Sequence, residues 1–500
     1  MFSVTRRAGR IAKHEIYILV LISCLVFPTF LLVSKPVSAQ YVKEVKYLVA
    51  LFEFEDLNHT KSFEEVKRIA VDQVQTYYDE VSYGKVKVKG DILPGWRKLP
   101  YAVKHLDLFR WTFTYGAMDM IDNAALSQIG QFLEAREYAI KFIVYAGKVW
   151  GHAKSSVKAA FMNEYHSAGV YGHELGHVLG LPDLYSYKKA EEGKYSGVNV
   201  GPWDLMSESA LVELSAWSKV KLGWIEKPQI VDLKEGSEGV FVIDAISNKT
   251  AKIMVLRIFR VGPVQGYYVE VRERLGVGAN MDKRARMGVL VFRVDETADP
   301  REGGVTLIDS HPNSYRSSTA WAELYDAPFS VGRNETVAFI NREKNLSIIV
   351  LAKIGYSYKI KVSAAATGDR AIEANSIIVQ AEDAIAKAEG ESRLKGLDNA
   401  KSQLSKANAA YSESRFEEAI VAARSAIEQA NAATTMPTTT VATTTPKATT
   451  TETAVPSYPT LRDDALLISA VAMATVAIAV GVFFVLRRSK KREPQTSATV

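Results

Sequence analysis

The run Lys46-Tyr47-Leu48-Val49-Ala50-Leu51-Phe52 is almost unbroken in its apolar character and predicts a buried strand near the start of the folded part. Ser62-Phe63-Glu64-Glu65 then opens a helix with acids in its first turn. Val66, Ile69, Ala70, Val74 and Tyr77 recur at core-facing spacing as far as about Glu80. Lys85-Val86-Lys87-Val88-Lys89 alternates as a half-exposed strand does. A helix is expected from about Ala117 to Phe132, and Ala139-Ile140-Lys141-Phe142-Ile143-Val144 reads as a central strand. Sheet and helices thus precede residue 170, as an α/β or α+β domain requires.

Downstream of about Val231 the pattern changes to strands separated by polar and glycine turns. Val240–Ile243, Ile253–Leu256, Gly266–Val271, Val289–Val294 and Ser347–Leu351 predict a sandwich-like β-rich module over 231–366. From 370 to 433 the chain is rich in alanine, glutamate, lysine and serine. Ala381, Ala384 and Ala388, then Phe416, Ala419, Ala422 and Ala426, predict closely packed helix faces, broken near Gly390 and Ser412-Glu413-Ser414. Two or three antiparallel helices serving as a spacer or docking bundle are expected. Residues 434–460 are mostly threonine with alanine and proline, a composition that buries no core and suits an extended, O-glycosylated stalk.

Both ends of the chain carry longer apolar runs. Arg6, Arg7, Arg10 and Lys13 precede an apolar stretch from Ile16 to Val33, and Val37-Ser38-Ala39 offers small residues for cleavage before Gln40. Residues 1–39 therefore read as a signal peptide. The rival is an uncleaved anchor, which Pro28 weakens. Little chain lies between Gln40 and the first strand, so no inhibitory segment of domain size is expected there. Ala465 to Leu486 holds no charge and is long enough to span a bilayer as a helix of about 20 residues. The basic tail 487–500 after it predicts a cytoplasmic C-terminus and an exported body. A single-pass protein of the cell surface is the expected arrangement.

The chemistry centres on Tyr171-Gly172-His173-Glu174-Leu175-Gly176-His177-Val178-Leu179-Gly180-Leu181-Pro182-Asp183. Residues four apart share a helix face, so His173 and His177 can place two imidazoles on one metal ion. Glu174 projects from the same helix and is suited to take a proton from an activated water. Gly180 is placed to end the helix in a left-handed conformation, Pro182 prevents its continuation, and the reversed chain can return Asp183 as a third ligand. The pattern H-E-x-x-H-x-x-G-x-x-D is the extended metzincin spacing with a carboxylate in the third ligand position. Trp203-Asp204-Leu205-Met206-Ser207 offers Met206 as the turn methionine beneath such a site. The plainer alternatives are a solvated helix with two ordinary histidines, and Met206 as core filler. The glycine and the acid at the required offsets, and the uncharged lead-in from Ser167 to Tyr171, favour the metal site. His152 could line the cleft, although a packed or solvated histidine accounts for it as well, nothing ties His166 to the metal, and both stay outside the ligand set.

These residues resemble the immune inhibitor A family of secreted zinc metallopeptidases. The likeness runs from about Tyr47 to Ile225 in ordered blocks: Tyr77-Tyr78 with Val81–Lys85, Val144–Gly147 with Trp150-Gly151-His152, the histidine segment through Tyr185, Gly201–Met206, and Ser215–Lys219 with Leu222–Ile225. The Tyr267-Tyr268 and Gly288–Val291 blocks are similar to the segment that comes after the family's catalytic domain. The resemblance implies a metzincin-like catalytic domain over 40–230 and endopeptidase activity on polypeptide substrates. It also implies Zn2+ on His173, His177 and Asp183, with Glu174 as base and Met206 as the turn methionine. Ser207-Glu208-Ser209 departs from the family's glycine-rich stretch, and Glu208 stands where some metzincins place a tyrosine.

Composition narrows the field modestly. A net charge of +6 over 500 residues, with lysine and arginine scattered, gives nucleic-acid binding no support. The only cysteine, Cys24, lies in the leader, so the mature chain has no disulfide. Asp295, Glu296, Asp299 and Glu302 are of the type that holds Ca2+, although a solvated acidic loop accounts for them as well. Sequons begin at Asn58, Asn248, Asn334 and Asn345, all in the expected external part, as a glycoprotein would have them. The competing class is a surface structural or adhesion protein carrying an inactive peptidase-like domain. The complete ligand set and base argue against it. The expected architecture is multidomain: catalytic domain, β-sandwich-like module, helical spacer, stalk and transmembrane helix.

Overall fold

The structure is a computed structural model that describes residues 43–104, 115–130, 138–149, 151–187, 199–259, 265–299, 302–312, 314 and 323–435. The chain divides into two compact units, Met1–Met436 and Pro437–Val500, and the described residues belong to the first. The leader, the threonine-rich segment from residue 436, the apolar run 465–486 and the basic tail lie outside the described residues. Among the described residues, no helix is long and apolar enough to cross a membrane.

The first sheet has five strands: β1 (Lys43–Phe54), β2 (Val86–Leu99), β3 (Ile140–Tyr145), β4 (His152–Lys154) and β5 (Ala159–Asn163), in the order β2-β1-β3-β5-β4. All neighbours are parallel except β4, which runs antiparallel at the edge. Helix α1 crosses from β1 to β2. It spans Phe63–Lys67, passes through a π-turn at Arg68–Asp72 and continues as Gln73–Val81. Its start is a capping box in which Ser62 accepts from Glu65 N and the Glu65 carboxylate accepts from Ser62 N. Helix α2 (Tyr115–Gly130) lies between β2 and β3 in the chain.

The apolar run of β1 serves both faces of this sheet. Tyr47, Val49 and Leu51, with Phe142 and Val144, face α1 and the helix bearing the histidines. Leu48, Ala50 and Phe52, with Ile143, Tyr145 and Phe161, face α2. A parallel sheet covered on both sides needs such a continuous hydrophobic strand, because alternation would leave one face polar.

Helix α3 (Ala168–Leu179) comes after β5, and the short α4 (Ala216–Lys221) comes after the Met206 turn. The β-rich part then forms two sheets. One contains β6 (Ile230–Lys234), β8 (Val255–Phe259), β9 (Gln265–Arg272), β10 (Gly288–Asp295) and β11 (Val305–Leu307). The other contains β7 (Gly239–Asp244), β12 (Ala338–Asn341), β13 (Leu346–Ile354) and β14 (Ser357–Ser363). Leu256, Val269, Val271 and Val289 of the first sheet meet Ile243, Ile348, Val350 and Ile360 of the second in one core, which makes a sandwich. The outer face of the first sheet is also buried. Val255, Tyr268, Leu290, Phe292 and Val294 join the core that contains α1, α3 and Met206.

The helical segment differs from a free spacer. It begins at Ala365, five residues before the expected boundary at 370. It forms α5 (Ala365–Gly390), α6 (Leu397–Ser412) and α7 (Phe416–Ala432), with breaks where Gly390 and Ser412-Glu413-Ser414 predict them. Ala371, Ala374, Ile378 and Ala419 share a core with Ala338, Ile349 and Leu351 of the second sheet and with Val337 just before it. Tyr411 Oη donates to Val350 O at 3.2 Å. The small alanine faces let these helices lie close on the sheet, and the apolar side chains on that sheet require a cover.

Candidate metal centre

Helix α3 is built for close approach. A Cβ on Gly176 would lie 2.3 Å from Met206 Sδ, and one on Gly169 would lie 2.1 Å from Ser209 O. The helix therefore presses its glycine face against residues 205–211, and Met206 is fully buried beneath it. Tyr78 Oη donates to Gly172 O at 2.6 Å and fixes the helix from the α1 side. Gly180 ends the helix at φ +109°. Its N–H and that of Leu181 both return to Gly176 O, so the chain reverses at once.

The reversal also orients a histidine. Leu181 O, exposed to the helix by the turn, lies 2.9 Å from His177 Nδ1. Leu205 O lies 3.1 Å from His173 Nδ1. A carbonyl only accepts, so both Nδ1 atoms carry the proton and both Nε2 lone pairs are left exposed. Those lone pairs converge on the carboxylate of Asp183, whose Oδ1 is 3.0 Å from His173 Nε2 and 3.3 Å from His177 Nε2. Three acceptors facing one another repel unless a cation lies between them. A proton meets that need in part and a divalent metal meets it fully. One ligand atom from each of His173, His177 and Asp183 lies within 4.8 Å of the others, and this is the only such group among the described residues. Two nitrogens and one oxygen with a fourth position open is a donor set that suits zinc.

The electrostatics record the same convergence. Burial works against a charged His177, but the bonds to Asp183 and to Leu181 O outweigh it and raise its pKa. Burial likewise opposes ionisation of Asp183, yet hydrogen bonding to His173 and His177 when a proton occupies the site, together with the bond from Tyr187, holds its carboxyl far below the ordinary range. Glu174 is half-buried beside His173, and its charge acts on both His177 and Tyr187.

The Met206 turn is held from several sides. Asp204 accepts from Met206 N at 2.8 Å with Oδ1, and from Ser215 N and Ser218 Oγ, each at 2.7 Å, with Oδ2. Leu184 N donates to Met206 O at 2.9 Å and ties the Asp183 segment to the turn. From β9, Arg272 Nη2 donates to Trp203 O at 2.6 Å, and Glu270 pairs with Arg272 while accepting from Ala216 N.

Three functional neighbours were not legible as such. Tyr187 Oη donates to Asp183 Oδ2 at 2.5 Å, and Tyr185, 3.0 Å from Tyr187 Oη, stacks over the His173 ring. Asp204 is the fully buried anchor of the turn. Its position two residues before Met206, where a carboxylate can cap the turn's N–H, was the available signal.

The other candidates lie elsewhere. His152 Nε2 faces Asp122 Oδ2 at 2.8 Å on the α2 side of the sheet, and His166 bonds Asn163. Asp295 accepts from Thr297 and Gln265, and Glu296 accepts from the Trp217 indole, so both carboxylates are directed to protein donors. Glu208 is half-buried, and burial together with Asp282 raises its pKa. Ser347, the hydroxyl residue of the sequon at Asn345, is fully buried, while Asn345 itself is exposed.

Residues 147–219 match the model of the immune inhibitor A peptidase M6 catalytic domain. No curated protein matches. Two crystal forms of wild-type OgpA from Akkermansia muciniphila are among the solved structures found. One has 15% identity and a TM-score of 0.27, covering 53% of this chain and 90% of that one. The other has 13% identity and a TM-score of 0.25, covering 51% and 86%. The segment that carries the histidine helix, the Met206 turn and the start of α4 is thus similar to a peptidase catalytic domain, that of the immune inhibitor A family.

Proposed function

We propose that this chain is a zinc-dependent endopeptidase, exported and held at the cell surface by residues 465–486. The observation that carries the reading is the convergence of two protonated-at-Nδ1 imidazoles and one carboxylate on a single point, in a segment similar to a peptidase domain. His173, His177 and Asp183 would hold the metal. Zinc bound there would supply the Lewis acidity that lowers the pKa of a water molecule and polarises a scissile carbonyl. Glu174, on the same helix, takes the proton of the attacking water and returns it to the leaving amine as the C–N bond breaks. The backbone bonds at Leu181 O and Leu205 O keep the imidazoles in the tautomer this requires.

The test uses the full-length chain, wild type beside Glu174→Gln, with bound metal and cleavage of an unbiased peptide library measured on the same preparations. One zinc in both proteins, with turnover reduced by about 10²-fold or more in the variant, is expected. Equal cleavage by the variant would remove Glu174 from the mechanism. No metal in either would favour a structural surface protein. Anchoring is checked by retention of the chain in membranes after alkaline washing, and release into the supernatant would refute it.

A further inference from the structure

The two oxygens of Asp183 have different partners. Oδ1 faces both imidazoles, at 3.0 and 3.3 Å, while Oδ2 accepts from Tyr187 Oη at 2.5 Å. A phenol has a single proton. The one on Tyr187 goes to the carboxylate, so the 3.0 Å contact between the two tyrosine oxygens is a donation from Tyr185 to Tyr187. Tyr185 is itself fixed by stacking over His173, with ring centroids 6.4 Å apart and planes inclined by 20°. The result is a directed chain from Tyr185 to Tyr187 to Asp183, anchored at its far end on one of the histidines.

An aspartate ligand has a freedom that a histidine lacks. It can bind through one oxygen or through both. Bidentate binding would fill the position that a catalytic site must leave open. A strong donor on the second oxygen limits that freedom, because the oxygen engaged by the phenol would be the weaker ligand for a bound metal.

We infer that Tyr187 is a positioning residue that holds Asp183 as a one-oxygen ligand and so keeps the fourth coordination position open. The inference rests on the reading of His173, His177 and Asp183 as metal ligands. The tyrosine acts on a ligand and does not touch the substrate. Tyr185 polarises and orients the Tyr187 hydroxyl and also bonds to Asp183 itself, so it supports the same carboxylate.

Tyr187 is 44% exposed, so Tyr187→Phe removes the hydroxyl without opening a cavity. The experiment compares the full-length wild type with Tyr187→Phe and Tyr185→Phe. Zinc affinity is measured by competition with a chromophoric chelator, and the visible absorption of the cobalt-loaded proteins reports coordination number, since intensity falls as the metal passes from four to five ligands. Melting of the metal-free proteins serves as the structural control.

The expected result is zinc affinity about 10- to 100-fold weaker in Tyr187→Phe. Its cobalt absorption should also be weaker, with the metal-free melting temperature unchanged. Tyr185→Phe should move both readouts in the same direction by less. Wild-type affinity and an unchanged cobalt spectrum in Tyr187→Phe would overturn the inference, even if turnover fell, because the tyrosine would then act on the substrate. Affinity lost in parallel with metal-free stability would overturn it as well, by making the effect one of folding. A wild-type protein that binds no zinc would defeat the metal reading first, and the two failures are told apart by that single control.

Discussion

Two histidine–aspartate constellations lie on opposite faces of the same sheet, and only one has the features of a metal site. On the α3 face, His173 and His177 turn their Nε2 atoms to Asp183 while backbone carbonyls hold both Nδ1 protons. On the α2 face, His152 Nε2 meets Asp122 Oδ2 at 2.8 Å, Lys154 Nζ reaches the same oxygen at 2.7 Å, and Tyr145 Oη donates to Oδ1 at 2.8 Å. Asp122 is fully buried, yet its charge is already balanced by the lysine. The difference lies in the source of the positive charge. One face supplies a cation from its own side chains, and the other assembles acceptors with no lysine or arginine bonded to them among the described residues. Proximity of His and Asp alone does not identify a metal site; the bonds made by the remaining ring nitrogens and the nearest ammonium do.

The sharpest way to break this comparison is to remove one histidine from each face. His177→Ala should abolish turnover and weaken zinc binding by more than the about 100-fold that loss of an outer partner brings, whereas His152→Ala should leave zinc stoichiometry unchanged. Metal analysis after dialysis decides it, and zinc lost from the His152 variant would make the two faces equivalent. A smaller effect is expected of Asp122→Ala. It strands the buried Tyr145 hydroxyl and should cost about 1–3 kcal/mol in denaturant unfolding, with zinc still bound. Unchanged stability would show that Asp122 is not a structural group of the α2 face.

The smallest effect concerns pH. The folded-state pKa of His177 is raised, so its bond to Asp183 stabilises the metal-free chain below about pH 6.5 and is lost as pH rises through the raised value. Asp183 is held low, so its contribution is present above about pH 3.9 and is lost only as pH falls through the depressed value. The pair therefore contributes most between about pH 4 and 6.5 when a proton occupies the site. Zinc takes the place of that proton, so the gap in melting temperature between zinc-loaded and chelated protein should widen from pH 6 to pH 8. A constant gap would show that proton and metal do not compete for the same place.

Legibility in the sequence depended on which interactions are local. His173, Glu174, His177, Gly180 and Asp183 lie within eleven residues, and helix geometry with one left-handed glycine is enough to relate them. The β1, α1 and β3 patterns were readable for the same reason, since each is an apolar period within a single element. Tyr187 was not, because no periodicity governs the chain after a helix has ended. Strands β4, β5, β6, β11, β12 and β14 went unread, and all of these but β14 are only three to five residues long. The docking of α5–α7 was half-readable. Alanine faces show that something packs closely, but not that the partner is Ile349 and Leu351 of a sheet. The bond from Arg272 to Trp203 spans 69 residues and has no local signature at all.

That last bond sets an order of events. The Met206 turn, which carries the carbonyl that holds His173, receives one of its supports from a strand made 69 residues later. A chain that emerges N-terminus first can wind the histidine helix early, but the floor beneath it is not fully braced until β9 has been made. A chain that ends before Arg272 carries the complete H-E-x-x-H motif but lacks one brace of the floor beneath it.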